Sequence, residues 1–398
     1  MSALDTFRAE VRAWIAANYP PSLRAPLRVD GPDTPWGGRR TSYANPDVKV
    51  WMDRMAARGW TTPEWQPEHG GAGLSADEAR VLREELAAAG CRAPLISFGL
   101  MMLAPVLLEF ASEEQRQRFL PSIARGEIRW CQGYSEPGAG SDLASLKTRA
   151  EDMVDHYLVN GQKIWTSYAD QADWIFCLVR TNAESKHGGI SFLLIDMASP
   201  GIEARPIQLI SGKSPFCEVF FTDVRVPREN LVGKPGEGWK IAKRLLQHER
   251  ANISTHLQTG LGGSPAGRSL ADLAKACAGE RDGRIADPHL RGAVARHEMQ
   301  SEAIALTLRR VQLESGKHGP SAASSITKAL GAQHNKDKHE LMLEIMGLAA
   351  LGWQGAPFTD EETEVCHHWL RSKGNSIEGG TSEIQTNIVA KQVLGLPD

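Results

Sequence analysis

No two of the six cysteines form a C-x-x-C pair, so neither a zinc clip nor a redox dithiol is signalled. They are scattered at Cys91, Cys131, Cys177, Cys217, Cys277 and Cys366, which fits a reducing compartment. Long apolar runs are also missing. The longest, Ile96 to Leu108, is broken by Ser97, Gly99 and Pro105 and is too short to span a bilayer. Met1 to Ala17 lacks the apolar block of a signal peptide. It carries Asp5 and Glu10, and its apolar Leu4, Phe7, Val11, Trp14 and Ile15 fall at helical spacing. No charge sign dominates either. The 45 Lys+Arg against 48 Asp+Glu leave a net charge of -3, which is no footprint for nucleic acid. A local basic patch could still hold a phosphorylated ligand. These absences together describe a soluble, cytoplasmic protein without a membrane span.

Several catalytic motifs are absent as well. His248-Glu249 is not an H-E-x-x-H site, because Asn252 stands where the second His belongs. His367 and His368 are adjacent and would not share a helix face, so no metal site is expected. Neither a G-x-x-x-x-G-K-[ST] loop nor a G-x-S-x-G elbow occurs. There is no internal repeat, and the only biased stretch is the Gly/Ser-rich patch from Thr259 to Arg268.

What remains is an ordinary globular composition, 41% hydrophobic and 23% charged. At about 150 residues per domain, 398 residues make two to three domains. The hydrophobic period then orders them. Ala76 to Ala89 is rich in helix formers, and Ser112 followed by Gln115 reads as a capping box. Loops rich in Pro and Gly, such as Pro63 to Gly73, lie between. Near residue 130 the period shortens. Tyr157–Val159, Asn160-Gly161 and Gln162–Ser167 read as a hairpin with a type I′ turn. Trp174 to Arg180, Ile190 to Asp196 and Cys217 to Val226 are further strands, which together predict a small antiparallel sheet or barrel. From about Gly238 the helical period returns. Asp287-Pro288 reads as an N-cap with proline at N1, opening a helix over Pro288 to Glu314, and another helical pattern covers Ala322 to Leu351. Helices, then strands, then helices exclude a Rossmann chain.

Four places could carry chemistry. Ile241, Leu245, Glu249, Ile253 and Leu257 recur every four residues, so one carboxylate sits within an aliphatic helix face. Such a group is either a structural ion pair, with Arg250 or a Lys elsewhere, or a base whose pKa is raised by desolvation. Tyr134 to Asp142 is a Gly-rich loop with hydroxyls, able to offer N–H groups to a phosphate or a carbonyl-rich ring, or to serve as a plain turn. Trp165-Thr166-Ser167 could stack on and hydrogen-bond a flat cofactor, or be core. Glu378 to Gln385 is a glycine loop entering a helix, with Ser382 and Gln385 as a capping box, or a helix N-terminus aimed at a ligand.

Taken in order, three motifs resemble the acyl-CoA dehydrogenase family over essentially the whole chain. They are Tyr134-Ser135-Glu136-Pro137-Gly138-Ala139-Gly140-Ser141-Asp142, Asn160-Gly161-Gln162-Lys163-x-Trp165, and Gly380-Thr381-Ser382-Glu383-Ile384-Gln385. The run from Trp130 to Arg149, Phe192 to Asp196 and Val393 to Pro397 most resemble the large subunit of pimeloyl-CoA dehydrogenase. The resemblance implies an α+β fold with an N-terminal helical domain (1–130), a middle antiparallel β domain (131–235) and a C-terminal four-helix bundle (236–398). It implies FAD, α,β-dehydrogenation of an acyl-CoA thioester to trans-2-enoyl-CoA as in fatty acid β-oxidation, and an electron-transfer flavoprotein as acceptor.

Many members carry the base as Tyr-Glu-Gly-Thr in the C-terminal loop. Here Glu378-Gly379-Gly380-Thr381 puts Gly379 at that position. The isovaleryl-type branch instead uses Leu-x-x-Glu-Arg, matched by Leu246-Gln247-His248-Glu249-Arg250. The resemblance therefore makes Glu249 the α-proton base, with Glu378 in reserve. It lines the flavin with Gln132, Tyr134, Ser135, Gly140, Ser141, Trp165, Thr166 and Ser167. It puts Ser141 and Arg250 beside the acyl-CoA, and Thr381 and Glu383 near the adenosine half of the cofactor. The sequence departs from the pattern where other members reach the FAD of a neighbouring subunit. Gly283-Arg284-Ile285-Ala286-Asp287-Pro288 replaces Arg-x-x-Phe-Gly, and Gly347-Leu348-Ala349-Ala350 replaces Gly-Gly-x-Gly. Such losses resemble members of α2β2 assemblies. The alternatives to an active homo-oligomer are thus a half-site or non-catalytic subunit beside a paralogue, and an oxidase on the same fold.

Overall fold

The structure, a computed structural model, describes residues 2–24, 31–258, 268–318 and 324–397. Within its helices, side chains are described except at 249–258, 312, 314–318 and 324. The Gly/Ser-rich patch lies almost entirely outside the described residues. By packing, the chain divides into two units: Met1–Ile207 with Pro215–Leu246, and Gln208–Ser214 with Gln247–Asp398.

The first unit begins with helices α1 (Ala3–Asn18), α2 (Asp47–Ala57), α3 (Ala76–Ala88), α4 (Ala104–Phe110) and α5 (Glu113–Ala124). Ser2, Ser75 and Ser112 each cap the following helix through a reciprocal box with Asp5, Glu78 and Gln115. Val11 and Ile15 of the predicted first helix are buried, with Trp51, Met55 and Trp60 around them.

A sheet follows, formed by β1 (Trp130–Gly133), β2 (Arg149–Asp152), β3 (His156–Ser167), β4 (Trp174–Arg180), β5 (Ile190–Asp196), β6 (Ile202–Ile207), β7 (Phe216–Pro227) and β8 (Leu231–Val232). Its order is β6-β7-β3-β2-β4-β5-β8, with β1 on β4. Most pairs are antiparallel, as expected, but β1 and β2 both run parallel to β4. Strands β4 and β5 are buried along almost their whole length, because both faces carry core. One face packs with Leu103, Leu107 and Phe119 of the helices, the other with Val159, Val219 and Val224 of the sheet.

The expected hairpin at Asn160-Gly161 is not there. Strand β3 runs straight through both residues, and the extra residue sits opposite, in β7, where Val159↔Val224 gives way to Gly161↔Phe221. Asp223 takes the irregularity at φ +50°, and it exchanges two hydrogen bonds with the Asn160 side chain, at 3.0 and 2.9 Å. Glycine is needed at 161 for a different reason from a turn. A Cβ there would stand 2.7 Å from the backbone of Thr148, the residue just before β2.

Helix α6 (Gly238–Gln258) begins in the first unit, with Ile241 and Leu245 fully buried in its core, and the division between units falls within it. The second unit adds α7 (Leu270–Ala278), a ribbon of β9 (Glu280–Arg281) and β10 (Arg284–Ile285), α8 (Pro288–His318), α9 (Ser324–Met346), α10 (Asp360–Ser372) and α11 (Ser382–Ile388). Asp287 caps α8 as predicted, its carboxylate accepting from the N–H groups of His289 and Leu290 at 2.7 and 3.0 Å. The first departure from the family pattern, Gly283 to Pro288, runs from the ribbon turn at Asp282-Gly283 through β10 to the start of α8.

Between α8 and α9 the rings of His297 and His334 stack at 3.9 Å. Burial, reinforced by His297, pushes His334 down to about 4, and burial lowers His297 as well. Lys338 lowers both further, and Asp337 opposes it. Both rings are therefore neutral in the folded protein. An unfolded chain takes up protons as pH falls below about 6.5, while the folded one does not until near 4. Stability of this unit should be full above that range and decline as pH drops from 6.5 to 5. Thermal melts of the helical signal should show this, with a flatter pH dependence in His334→Gln. An equal decline in the variant would remove the pair as its cause.

Candidate active site

Three segments of the first unit converge around a buried ion pair. Lys163, fully buried on β3, donates from Nζ to the Glu136 carboxylate at 2.8 Å and to the Tyr134 carbonyl at 3.2 Å. Glu136 also accepts the backbone N–H groups of Lys147 and Thr148, at 2.6 and 2.8 Å. Burial would raise the Glu136 pKa, but Lys163 and these hydrogen bonds outweigh it and hold the carboxyl below its usual range. The Gly-rich loop is thereby tied to β3 from beneath. Its own turn closes through reciprocal backbone bonds between Glu136 and Ala139, both 3.0 Å, and the Ser135 carbonyl accepts from Ile164 at 2.9 Å. Neither Glu136 nor Lys163 stood out as a functional residue in the sequence. The signal was present: Tyr157, Val159 and Lys163 share the inward parity of β3.

A bulge then re-aims the end of β3. Lys163 pairs Val219 but Thr166 pairs Cys217, so β3 has one residue more than β7. Trp165 takes up the excess at φ +60° and is turned outward, 54% exposed, with its ring edge-on to Phe216 at 6.1 Å. The extra residue returns Thr166 to the interior. There its hydroxyl is buried with no hydrogen-bond partner among the described residues. Ser167 follows, paired with Phe216 and half-buried.

The remaining expected positions divide by unit. Gln132 is half-buried on β1, opposite Phe176, and the buried Tyr134 ring stands edge-on to Phe176 and Phe192. Gly138, Gly140 and Ser141 are exposed on the loop, and a Cβ at either glycine would meet nothing within 4 Å. These eight expected flavin positions thus belong to one unit. Thr381 and Glu383 belong to the other. Thr381, not Ser382, caps α11, accepting from Ile384 at 3.3 Å. Gln385 does not close the expected box; its amide donates to the Gly379 carbonyl at 3.0 Å. Lys328 holds the same loop through the carbonyls of Asn375 and Gly380, at 3.0 and 2.6 Å. Glu378 is occupied, accepting from Arg371 at 2.7 and 3.3 Å and from Asn375 at 2.6 Å. Glu249 and Arg250 fall on α6, but their side chains lie outside the described residues.

Three family descriptions match in succession: "Acyl-CoA dehydrogenase, N-terminal domain" over residues 3–127, "Acyl-CoA dehydrogenase, middle domain" over 131–224 and "Acyl-CoA dehydrogenase, C-terminal domain" over 236–394. "Acyl-CoA dehydrogenase IpdE1" of Mycobacterium tuberculosis is 37% identical over 398 residues, covering 100% of this chain and 99% of the relative. The chain belongs to the acyl-CoA dehydrogenase family. "Acyl-CoA dehydrogenase FadE26" of the same organism is 34% identical, over 99% of this chain and 97% of the relative. Among solved structures, "Tcur3481-Tcur3483 steroid ACAD" aligns with a TM-score of 0.75 at 29% identity, over 99% of this chain and 98% of the other. The ChsE4-ChsE5 complex from Mycobacterium tuberculosis aligns at 0.73 and 30%, over 100% and 98%.

Acyl-CoA dehydrogenases are FAD-dependent oxidoreductases, and the residues present fit that cofactor. The unpartnered Thr166 hydroxyl, the outward Trp165 and the open space over Gly138 and Gly140 are what a flat ligand bound across the loop and strand end needs. One consequence is testable on the glycines. Because no backbone strain or clash opposes a side chain there, Gly140→Val should melt like the parent without cofactor. It should bind FAD at least about tenfold more weakly, the cost of roughly one lost contact layer. Equal FAD affinity, measured by flavin fluorescence titration, would remove the loop from the site.

Proposed function

We propose that this acyl-CoA dehydrogenase forms a trans-2-enoyl-CoA from its thioester, with Glu249 as the α-proton base. The reading rests chiefly on the register of α6. Glu249 follows the fully buried Ile241 and Leu245 at four-residue steps, so its position continues an apolar face. A carboxylate in such a setting loses hydration, and its pKa rises toward that of a useful base. The alternative carboxylate, Glu378, is engaged by Arg371 and Asn375, which supports leaving the role with Glu249.

The chain's own residues divide the remaining work. Gln132, Tyr134, Ser135, Gly140, Ser141, Trp165, Thr166 and Ser167 bind the flavin ring, with Thr166 as a buried hydrogen-bonding group and Trp165 as a flanking wall. Ser141 and Arg250 bind the acyl-CoA. Thr381 and Glu383 bind toward the adenosine half of the cofactor. Once bound, FAD supplies an acceptor for the β-hydrogen as hydride. Glu249 takes the α-hydrogen as a proton, so two electrons and two hydrogens leave Cα–Cβ. An electron-transfer flavoprotein then takes the electrons onward. The proposed domain division is 1–130, 131–235 and 236–398.

We assign the substrate to bulky, steroid-like thioesters and the assembly to a hetero-oligomer with a paralogous chain. Two structural neighbours near 30% identity, aligned over almost their whole length, support this: the "Tcur3481-Tcur3483 steroid ACAD" and the ChsE4-ChsE5 complex. The departures at Gly283–Pro288 and Gly347–Ala350 agree with a partner completing the site. No helix among the described residues is long and apolar enough to cross a membrane, and we place the protein in the cytoplasm. Flavin content tests the assembly. The chain purified alone should carry substoichiometric FAD, rising toward one per site on co-expression with its paralogue. A full complement in the chain alone would favour the homo-oligomer.

A further inference from the structure

One buried cation reaches out of the helices to the C-terminal loop. Lys328 stands on α9, 6% exposed, and its Nζ donates to the carbonyls of Asn375 and Gly380 at 3.0 and 2.6 Å. An ammonium stays buried only where acceptors meet its donors, and the loop supplies two. Gly379 and Gly380 follow one another at φ +63° and +89°, a turn that residues with a Cβ rarely adopt. Both of its carbonyls are taken by buried side chains. Lys328 holds that of Gly380, and the amide of Gln385 on α11 holds that of Gly379 at 3.0 Å. A Cβ on Gly380 would meet this amide at 2.6 Å. The turn is thus fixed from α9 on one side and from α11 on the other.

A second tie repeats the first. Asn335, two turns further along α9, donates to the Asn375 side-chain oxygen at 2.8 Å, and Asn375 donates in turn to Glu378 at 2.6 Å. What the anchored turn leads into is the cofactor end of the loop. Thr381 is the next residue after Gly380, and Glu383 is the third. Its own backbone N–H, the Thr381 hydroxyl and the Lys328 ammonium together hold the Glu383 carboxyl below its usual range. Lys328 therefore acts on this end twice, through the Gly380 carbonyl and by its charge.

We propose that Lys328 is a positioning residue for the cofactor: by fixing the Gly380 carbonyl it sets Thr381 and Glu383 where the adenosine half of FAD binds. This rests on the assignment of those two residues to the adenosine half. The flavin-ring positions belong to the other unit and owe nothing to Lys328. It should weigh on FAD and not on FMN, which has the flavin and no adenosine.

The test titrates the cofactor-free protein, with its paralogue where flavin content requires it, with FAD and with FMN. Lys328→Met should bind FAD at least about tenfold more weakly and FMN within about threefold of the parent. Should that variant fail to fold, Lys328→Gln, which keeps a donor without the charge, should lose at least about threefold for FAD alone. Val365→Ala, a buried core change in the same unit, should lower the melting temperature and leave the preference for FAD over FMN as it was. Thr381→Ala separates this proposal from the assignment beneath it. A selective loss of FAD binding in Thr381→Ala with none in either Lys328 variant overturns the proposal alone. Parent-like FAD binding in both Thr381→Ala and Glu383→Gln overturns the adenosine assignment, and the proposal with it. FAD and FMN weakened equally in Lys328→Met, or a preference lost as readily in Val365→Ala, would reduce Lys328 to a support of the fold.

Discussion

Glu249→Gln should keep its flavin and its melting temperature while losing reduction by acyl-CoA. General-base assistance contributes about 10²- to 10⁴-fold, and the amide cannot accept the α-proton, so the reduction rate should fall by about that factor. Gln is close to Glu in size, so the change removes the charge and almost no volume. Under the base reading the carboxylate has no structural partner, so removing its charge should, if anything, stabilise the fold. A structural ion pair behaves in the opposite way, since stripping one partner leaves the other buried and costs stability. The two readings of Glu249 thus predict opposite signs in the melt. A second probe needs no complete turnover. In D2O the parent should exchange the substrate's α-hydrogen for deuterium, and Glu249→Gln should not. A variant with full flavin reduction, or with parent-like exchange, would end the assignment. If activity instead vanishes in Glu378→Gln, the base belongs to the C-terminal loop.

Lys163→Met should be among the most damaging single changes in the sheet. The ammonium is fully buried, and its removal leaves the Glu136 carboxylate, 8% exposed, without a counter-charge. Breaking such a pair from one side costs about 3–5 kcal/mol. The Tyr134 carbonyl loses its donor as well. The glycine loop should loosen before the sheet unfolds, so FAD release should precede loss of tryptophan burial in a urea titration. Neutralising the stranded partner with Glu136→Gln in the same chain should recover part of the loss, since it removes the unpaired charge while the one amide oxygen still accepts one of the two N–H groups of Lys147 and Thr148. The parent's pH dependence follows from the same pair. Glu136 is held below the ordinary carboxylate range, so its contribution is present above the unfolded value near 4.3 and is lost as pH falls through the depressed one. A Lys163→Met protein of parent-like stability, with FAD bound, would show that the pair is dispensable.

Much of this was legible in the residues. Strands β4 and β5 match their expected limits, because continuous apolar runs bounded by polar loops leave few alternatives. The Ser112 and Asp287 caps held because their hydrogen bonds are local. The Asn160-Gly161 hairpin failed because the pair answers to distant residues, Thr148 and Asp223, that no short window contains. The C-terminal cap shifted from Ser382 to Thr381 by one residue for a similar reason, with Gln385 drawn to the Gly379 carbonyl. Trp165 on its own read more readily as core than as cofactor wall. The bulge that exposes it depends on a register difference between β3 and β7, which only the paired strands reveal. Lys163 and Glu136 were both within recognised motifs, yet their bond spans 27 residues.

The central claim is that this chain's flavin oxidises an acyl-CoA thioester. The most direct test is an anaerobic titration of the purified protein, with its paralogue where flavin content requires it, followed by visible absorption. Steroid-side-chain, branched, straight-chain and dicarboxyl CoA thioesters form the panel. The account predicts that the yellow colour bleaches with a steroid-type thioester in proportion to the flavin present, and that Glu249→Gln stays yellow under the same addition. Flavin that is bound in full yet remains oxidised with every thioester would contradict it.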